Sequence, residues 1–151
     1  MPCLICDRIE MIKNGTNPYF VIELETGYVV IGDHQYFKGY TCFLLKEHIT
    51  ELHFIPPDIR AKHLEEMSIV YEAVYNVFKP NKMNAELLGN GDPHIHWHFF
   101  PRYASDPLRK HPVYRYPYEI IFRDEVRPTP DELSKMVSDL KEEILRLTKK
   151  N

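Results

Sequence analysis

The sequence predicts an α+β domain with five strands, a long helix between the third and fourth, and a second helix near the C-terminal end. Three observations carry that prediction. β-prone runs follow one another through the first third of the chain. A stretch bounded by prolines at 56–57 and 80 has apolar residues at helical spacing. "HIHWHFF" then alternates with the period of two that a strand requires.

The elements follow in order. "YFVIELETGYVVIGD" holds two β-prone runs split by a turn at Glu25–Gly27, a hairpin signature of strand, Gly-containing turn and strand. "KGYTCFLL" is the third run, opened by Gly39, and the three form consecutive antiparallel strands. Pro56 and Pro57 suit a helix start and Pro80 a stop. Between them Ile59, Leu64, Met67, Val70, Tyr71, Val74 and Phe78 give one apolar face. "NAELLGNG" reads as a fourth strand running into a loop, and "HIHWHFFPRY" as the fifth. Residues 104–127 are rich in Pro and Tyr and read as irregular, with a short strand at "YEIIF". Thr129-Pro130-Asp131-Glu132 is a capping box with proline at the first helical position. Leu133, Met136, Val137, Leu140, Ile144 and Leu147 then form a stripe that must cover either the domain's own sheet or a partner subunit.

Composition narrows the function classes. The 151 residues fit one domain, and 44% hydrophobic with 27% charged residues is a globular composition. A net charge of −3 without a basic run argues against a protein that coats nucleic acid, though not against a nucleotide ligand. No apolar run approaches the roughly 18 residues needed to cross a bilayer. No signal-peptide core opens the chain, so the expected location is the cytoplasm, with no membrane partner. Three cysteines are an odd number for a disulfide framework. Cys3-x-x-Cys6 reads instead as metal or redox chemistry. A redox role is disfavoured because no helix is expected to follow the pair and lower a thiol pKa.

The histidine row is the main functional signal. On a strand, His94, His96 and His98 share one face, while Ile95, Trp97 and Phe99 anchor the other in a core. Three ligands in line span roughly 13–14 Å, too far for one metal with bonds of about 2 Å. A phosphate chain along the strand fits better. A neutral imidazole can attack phosphorus, and a neighbouring one can donate to the leaving oxygen. A strand whose wet face is merely polar is the plainer alternative.

"HIHWHFFPR" resembles the signature of the histidine triad (HIT) nucleotide hydrolases and transferases. "CLICDRI" looks like their Cys-x-x-Cys opening and "GYTCFLLKEHITEL" like their strand ending in Lys-x-His. "NAELLGNGDPHIHWHFFPRY" is similar to a prokaryotic branch with Leu-Gly-Asn before the triad and Trp inside it. The resemblance implies a HIT-like fold with a five-stranded antiparallel sheet, a single HIT domain over 1–151, and a homodimer. Its core would be 1–103, followed by an extension over 104–151 with a final helix at 130–149. By the same resemblance His96 is the nucleophile toward an α-phosphate. His98 contacts the phosphate and leaving-group oxygens, and His94 completes the catalytic row. The third histidine, where related transferases carry glutamine, favours hydrolysis.

The resemblance also implies a nucleoside site at Ile5, Ile31, Asp33 and Asn90. Ile5 and Ile31 would hold the base and Asp33 the ribose hydroxyls. Asp92-Pro93 departs from the family's Gly-Gln before the triad, and Tyr40 stands where many relatives carry another histidine. A structural zinc would be held by Cys3, Cys6, His48 and His94. Arg102 could reach a distal phosphate or form a structural ion pair. The expected activity is cleavage of an adenine nucleotide derivative at its α-phosphorus, releasing AMP. Dinucleoside polyphosphates such as diadenosine tetraphosphate are the leading substrates, favoured by Pro101-Arg102. Phosphoramidates or acyl-adenylates are the alternative, and a non-catalytic zinc-stabilised nucleotide-binding module is the rival class. Pro112–Tyr118 could close the site or build a dimer.

Overall fold

The computed structural model describes residues 2–149. Five strands form one antiparallel sheet in the order β1-β2-β3-β5-β4. They are β1 (Phe20–Glu23), β2 (Gly27–Ile31), β3 (Thr41–Leu45), β4 (Lys82–Glu86) and β5 (His96–Arg102). α2 (Pro57–Phe78) crosses from β3 to β4, and α4 (Pro130–Lys149) ends the described chain. α1 (Leu4–Lys13) precedes the sheet, and α3 (Tyr118–Ile121) is a single turn inside the extension.

Every residue of β2 and β3 is buried, because both faces of the sheet are covered. On one face Val29, Ile31, Phe43 and Phe99 meet Val70, Ala73 and Val74 of α2 and Leu133, Met136, Leu140 and Ile144 of α4. The apolar stripe of α4 therefore covers the chain's own sheet. Its N-terminus has the expected capping box: Glu132 N–H donates to Thr129 Oγ1 at 3.2 Å, and Thr129 N–H donates to Glu132 Oε1 at 3.1 Å. On the opposite face Tyr28, Val30, Cys42 and Leu44 meet Ile5 and Ile9 of α1. His96 and His98, paired with Leu44 and Cys42, lie on that side.

α1 follows Cys3 directly, where no helix was expected. The signal was present: Ile5, Ile9 and Ile12 recur at helical spacing, and Cys3 is the N-cap, its Sγ accepting from Cys6 N–H at 3.4 Å. β4 begins at Lys82, and Leu87 onward is loop, since the edge strand is placed by Met83 entering the core. His94 precedes β5, which starts at His96. "YEII" is a helical turn with Ile120 N–H donating to Pro117 O at 3.0 Å, because no strand lies beside it to pair with.

On α2, Ile59 is 44% exposed, and His63 and Glu66 are buried in its place. They hold the β1–β2 turn. The Glu66 carboxylate accepts Glu25 N–H at 2.9 Å, Thr26 N–H at 2.8 Å and the Thr26 hydroxyl. Trp97 Nε1–H donates to His63 Nε2 at 3.0 Å, which puts the His63 proton on Nδ1, facing Thr26 Oγ1 at 2.9 Å. A second ring proton would point at the Trp97 N–H. Burial pushes His63 down to about 4, against a partial upward pull from Glu66.

This depressed value sets a direction for stability with pH. Below about 6.5 the unfolded chain takes up the proton and the folded chain refuses it until about 4. Stability is therefore lost as pH falls through that window, by up to about 3 kcal/mol from this residue. Urea midpoints measured from pH 7 to pH 4 are expected to fall less steeply for His63→Gln than for the natural chain.

Candidate active site

β3 and β5 pair with Cys42 opposite His98 and Leu44 opposite His96. This puts both imidazoles on the α1 side, while Trp97 and Phe99 join the core behind them. His96 Nδ1 lies 2.7 Å from His94 O and donates to it. That contact fixes the tautomer, so His96 Nε2 carries the lone pair. His98 is bound the opposite way round. Its Nδ1 lies 2.6 Å from the Tyr40 hydroxyl, which in turn receives the Cys42 thiol at 3.2 Å. Tyr40 therefore donates to His98 Nδ1, and the His98 proton sits on Nε2. Burial, and secondarily the neighbouring His96, push His98 down to about 4, so it is neutral at pH 7. Burial also holds Tyr40 well above its ordinary value and Cys42 up at about 12, so both keep their protons. The two imidazoles stand 4.8 Å apart between ring centres. One is an acceptor and the other a donor.

The position of Tyr40 depends on a close approach. Its ring stacks on Phe100 at 4.3 Å and lies over Gly32, where an added Cβ would fall 2.1 Å from the ring. Only glycine admits the phenol there.

A cavity of about 320 Å³ opens between α1, β2 and the two histidines. Ile5, Ile31, Asp33, His96 and His98 all line it, so five of the expected residues converge. Asn90 is exposed in the loop before β5 and lines neither this cavity nor its neighbour. Asp92 is there instead, its Oδ1 accepting Leu4 N–H at the start of α1, 3.1 Å away. Arg8 also lines the cavity and donates from Nη2 to Asp33 Oδ2 at 2.8 Å. It was missed because α1 was missed: one turn beyond Ile5, it shares that residue's face.

Cys3, Cys6, His48 and His94 lie together, with all four ligand atoms within 4.8 Å of one another. Cys6 Sγ is 3.3 Å from His48 Nδ1 and 3.4 Å from His94 Nδ1, and Cys3 Sγ is 3.7 Å from His94 Nδ1. Tetrahedral zinc with ordinary sulfur and nitrogen bond lengths places such atoms about 3.6 Å apart, so the set fits. His94 Nε2 is 2.7 Å from Leu45 O and donates to it, which turns Nδ1 toward the thiols as a ligand requires. A helix does follow Cys3-x-x-Cys6, since Cys3 caps α1 and Cys6 lies in its first turn, so the absence of one cannot count against redox chemistry. Two imidazole nitrogens against the thiols now carry the preference for metal.

Arg102 resolves to the structural alternative. It is 1% exposed and donates from Nε to Asp106 at 2.7 Å. Nη1 donates to Asn84 Oδ1 at 3.1 Å and His111 O at 2.7 Å, and Nη2 to Leu108 O at 2.9 Å. Burial alone would raise the Asp106 carboxyl; hydrogen bonds from Arg102, Tyr116 and Leu108 N–H hold it below its ordinary range. Four of its five N–H donors are engaged and the side chain is buried, so Arg102 is not placed to meet a phosphate and gives no reason to prefer dinucleoside polyphosphates.

The sequence pattern of the HIT domain matches residues 17–105. No curated protein matches the chain at a significant level. The fold is similar to that of a histidine triad protein from Marinobacter aquaeolei VT8 (TM-score 0.71, 23% identity, 85% of this chain and 89% of that one). It is also similar to a hypothetical histidine triad nucleotide-binding protein from Sulfolobus tokodaii strain7 (TM-score 0.70, 18% identity, 94% and 93%). A Zn-bound histidine triad family protein from Mycobacterium smegmatis matches over its whole length (TM-score 0.67, 20% identity, 100% and 99%).

Proposed function

The chain belongs to the HIT domain family, and on that premise we propose that it is a hydrolase that releases AMP from an adenine nucleotide derivative through a phosphohistidine intermediate. One observation carries this reading: His96 has its Nδ1 committed to His94 O and its Nε2 lone pair free beside the His98 N–H. In the first step His96 Nε2 forms a bond to the α-phosphorus as the bond to the leaving group breaks. The leaving atom takes a proton from solvent, while neutral His98 hydrogen-bonds through Nε2–H to the phosphoryl oxygens and the departing atom. Water then attacks the phosphorus. The bond from phosphorus to His96 breaks, and AMP leaves with one proton released to solvent. The base would lie between Ile5 and Ile31, with the ribose hydroxyls at the Asp33 oxygen that Arg8 does not hold.

The lining of the two cavities supports a phosphoramidate or an acyl-adenylate over a dinucleoside polyphosphate. Arg8 is the one Lys or Arg among the residues that line them, and Asp33 engages it. A chain of further phosphates would lack the cationic partners it needs. The test is chromatography of products from adenosine 5′-phosphoramidate and, separately, from diadenosine tetraphosphate. AMP appearing faster from the phosphoramidate supports the reading. Tight AMP binding with neither compound turned over would move the assignment to a binding module.

Zinc would be held by Cys3, Cys6, His48 and His94. Four protein ligands leave no open position for water, so its chemistry would be structural, tying the start of α1 to the residue that carries His96's acceptor. Cys6→Ser is expected to lose about one zinc per chain and to lower Tm by roughly 10 °C, on the scale of a 3 kcal/mol loss in a domain this size. Metal content by atomic emission and a thermal melt check both. A homodimer is proposed as well. β4 is an edge strand with no strand paired on its outer side among the described residues, and a second copy could pair there. A monomer mass at micromolar concentration would count against it.

A further inference from the structure

A second cavity, of about 390 Å³, lies beside the nucleoside cavity. The two share His34, Tyr40, His98 and Phe122, so His98 stands in the partition between them. The rings of Tyr40, His98 and Phe100 form a nearly parallel stack along one side, with Phe100 inclined 11° to Tyr40 and 9° to His98. Phe37 and Tyr116 meet edge to face behind it at 5.3 Å. The mouth is rimmed by Leu88, Tyr114 and Tyr118, which are 62%, 75% and 70% exposed. Large apolar side chains gathered at the surface around a cavity mark a place where something binds.

The chemistry of the lining is one-sided. No Lys or Arg is among the lining residues, and Glu86 is their one carboxylate. Burial, and secondarily Arg127, hold His34 below its ordinary value, so it adds little positive charge at pH 7. A phosphate or carboxylate entering here would meet no cation and would approach Glu86. An aromatic ring would find faces and edges to stack on.

The outer wall is built by the segment that follows the HIT-domain match. Val113, Tyr114, Tyr116, Tyr118, Ile121 and Phe122 all lie beyond residue 105, where the match to the HIT domain ends. Arg102, Asp106 and the Tyr116 hydroxyl pin the near end of that wall, and Gln35 N–H donating to Val126 O at 2.7 Å pins the far end. The wall is thus built to stand in front of His98.

We propose that this cavity receives the leaving group of the substrate, and that it selects a leaving group bearing a planar aromatic ring and no negative charge. This rests on the nucleotidyl-transfer reading. With the nucleoside under α1 and His96 attacking the phosphorus, the departing atom exits past His98 Nε2–H into the second cavity. The aromatic wall then decides which leaving groups are held long enough to react.

The experiment compares adenosine 5′-phosphoramidates of 2-phenylethylamine, ethylamine and 3-aminopropanoate. They share the scissile bond and differ in a ring or a charge. The expected result is a kcat/KM for the phenylethyl compound about tenfold or more above that for the ethyl compound, the scale of burying one ring. The carboxylate-bearing compound should fall below both. Tyr118→Ala removes an exposed ring and leaves no internal void, so the protein should fold. It is expected to lower the phenylethyl-to-ethyl ratio by about threefold or more. Equal kcat/KM values, or a ratio that Tyr118→Ala leaves unchanged, would overturn the inference alone. No AMP from any of the three would overturn the nucleotidyl-transfer reading and the inference with it.

Discussion

Replacing His96 by alanine is expected to slow AMP release by about 10⁴-fold or more, the scale on which enzymes lose activity with their nucleophile. The geometry gives no substitute. His94 Nε2 is committed to Leu45 O and its Nδ1 faces the thiols, and His98 Nδ1 faces Tyr40. His98 retains only its donor nitrogen toward the cavity, and a donor cannot attack phosphorus. The loss should be in kcat, with nucleotide affinity largely kept, since Ile5, Ile31 and Asp33 are untouched. Single-turnover AMP release together with AMP binding by calorimetry separates the two. Full activity in His96→Ala would remove the phosphohistidine step from the proposal.

Arg102→Ala should have the largest effect on stability. The guanidinium makes four hydrogen bonds while 1% exposed. Its loss leaves the Asp106 carboxylate buried without its cation and two backbone carbonyls without their donor. Breaking a buried pair from one side costs about 3–5 kcal/mol. Arg102→Lys should recover only part, because an ammonium cannot spread planar donors over acceptors on three sides. Urea denaturation measures the loss. Hydrogen exchange should place the first loosening in residues 104–122, and the aromatic wall before His98 should go with it. A variant that keeps its midpoint and its protection there would show that the extension is held by its aromatic contacts alone.

Periodicity in the sequence determined the sheet, the long helix, the capped C-terminal helix and the shared face of His96 and His98, with His94 left off the strand. These rest on local rules, since side-chain alternation and helical spacing depend on neighbours a few residues apart. Cys3-x-x-Cys6 was legible as a ligand pair from its spacing, whereas His48, 42 positions beyond Cys6, came only through the family resemblance. What stayed hidden was set by partners distant in sequence. α1 is short, and its apolar residues have meaning only against β2 and β3. His63 and Glu66 lie outside the apolar face read on α2, and they are buried because Thr26 and Trp97 satisfy them. Arg102 could have served a phosphate or a carboxylate, and the carboxylate won because Asp106 lies one short loop away in a place closed to water. The tautomers of His96 and His98 were decided by contacts with His94 O and with Tyr40, 58 residues distant. The order of residues supplied two like imidazoles on one strand. The tertiary structure made one an acceptor and the other a donor, because a ring nitrogen takes its role from the group it faces.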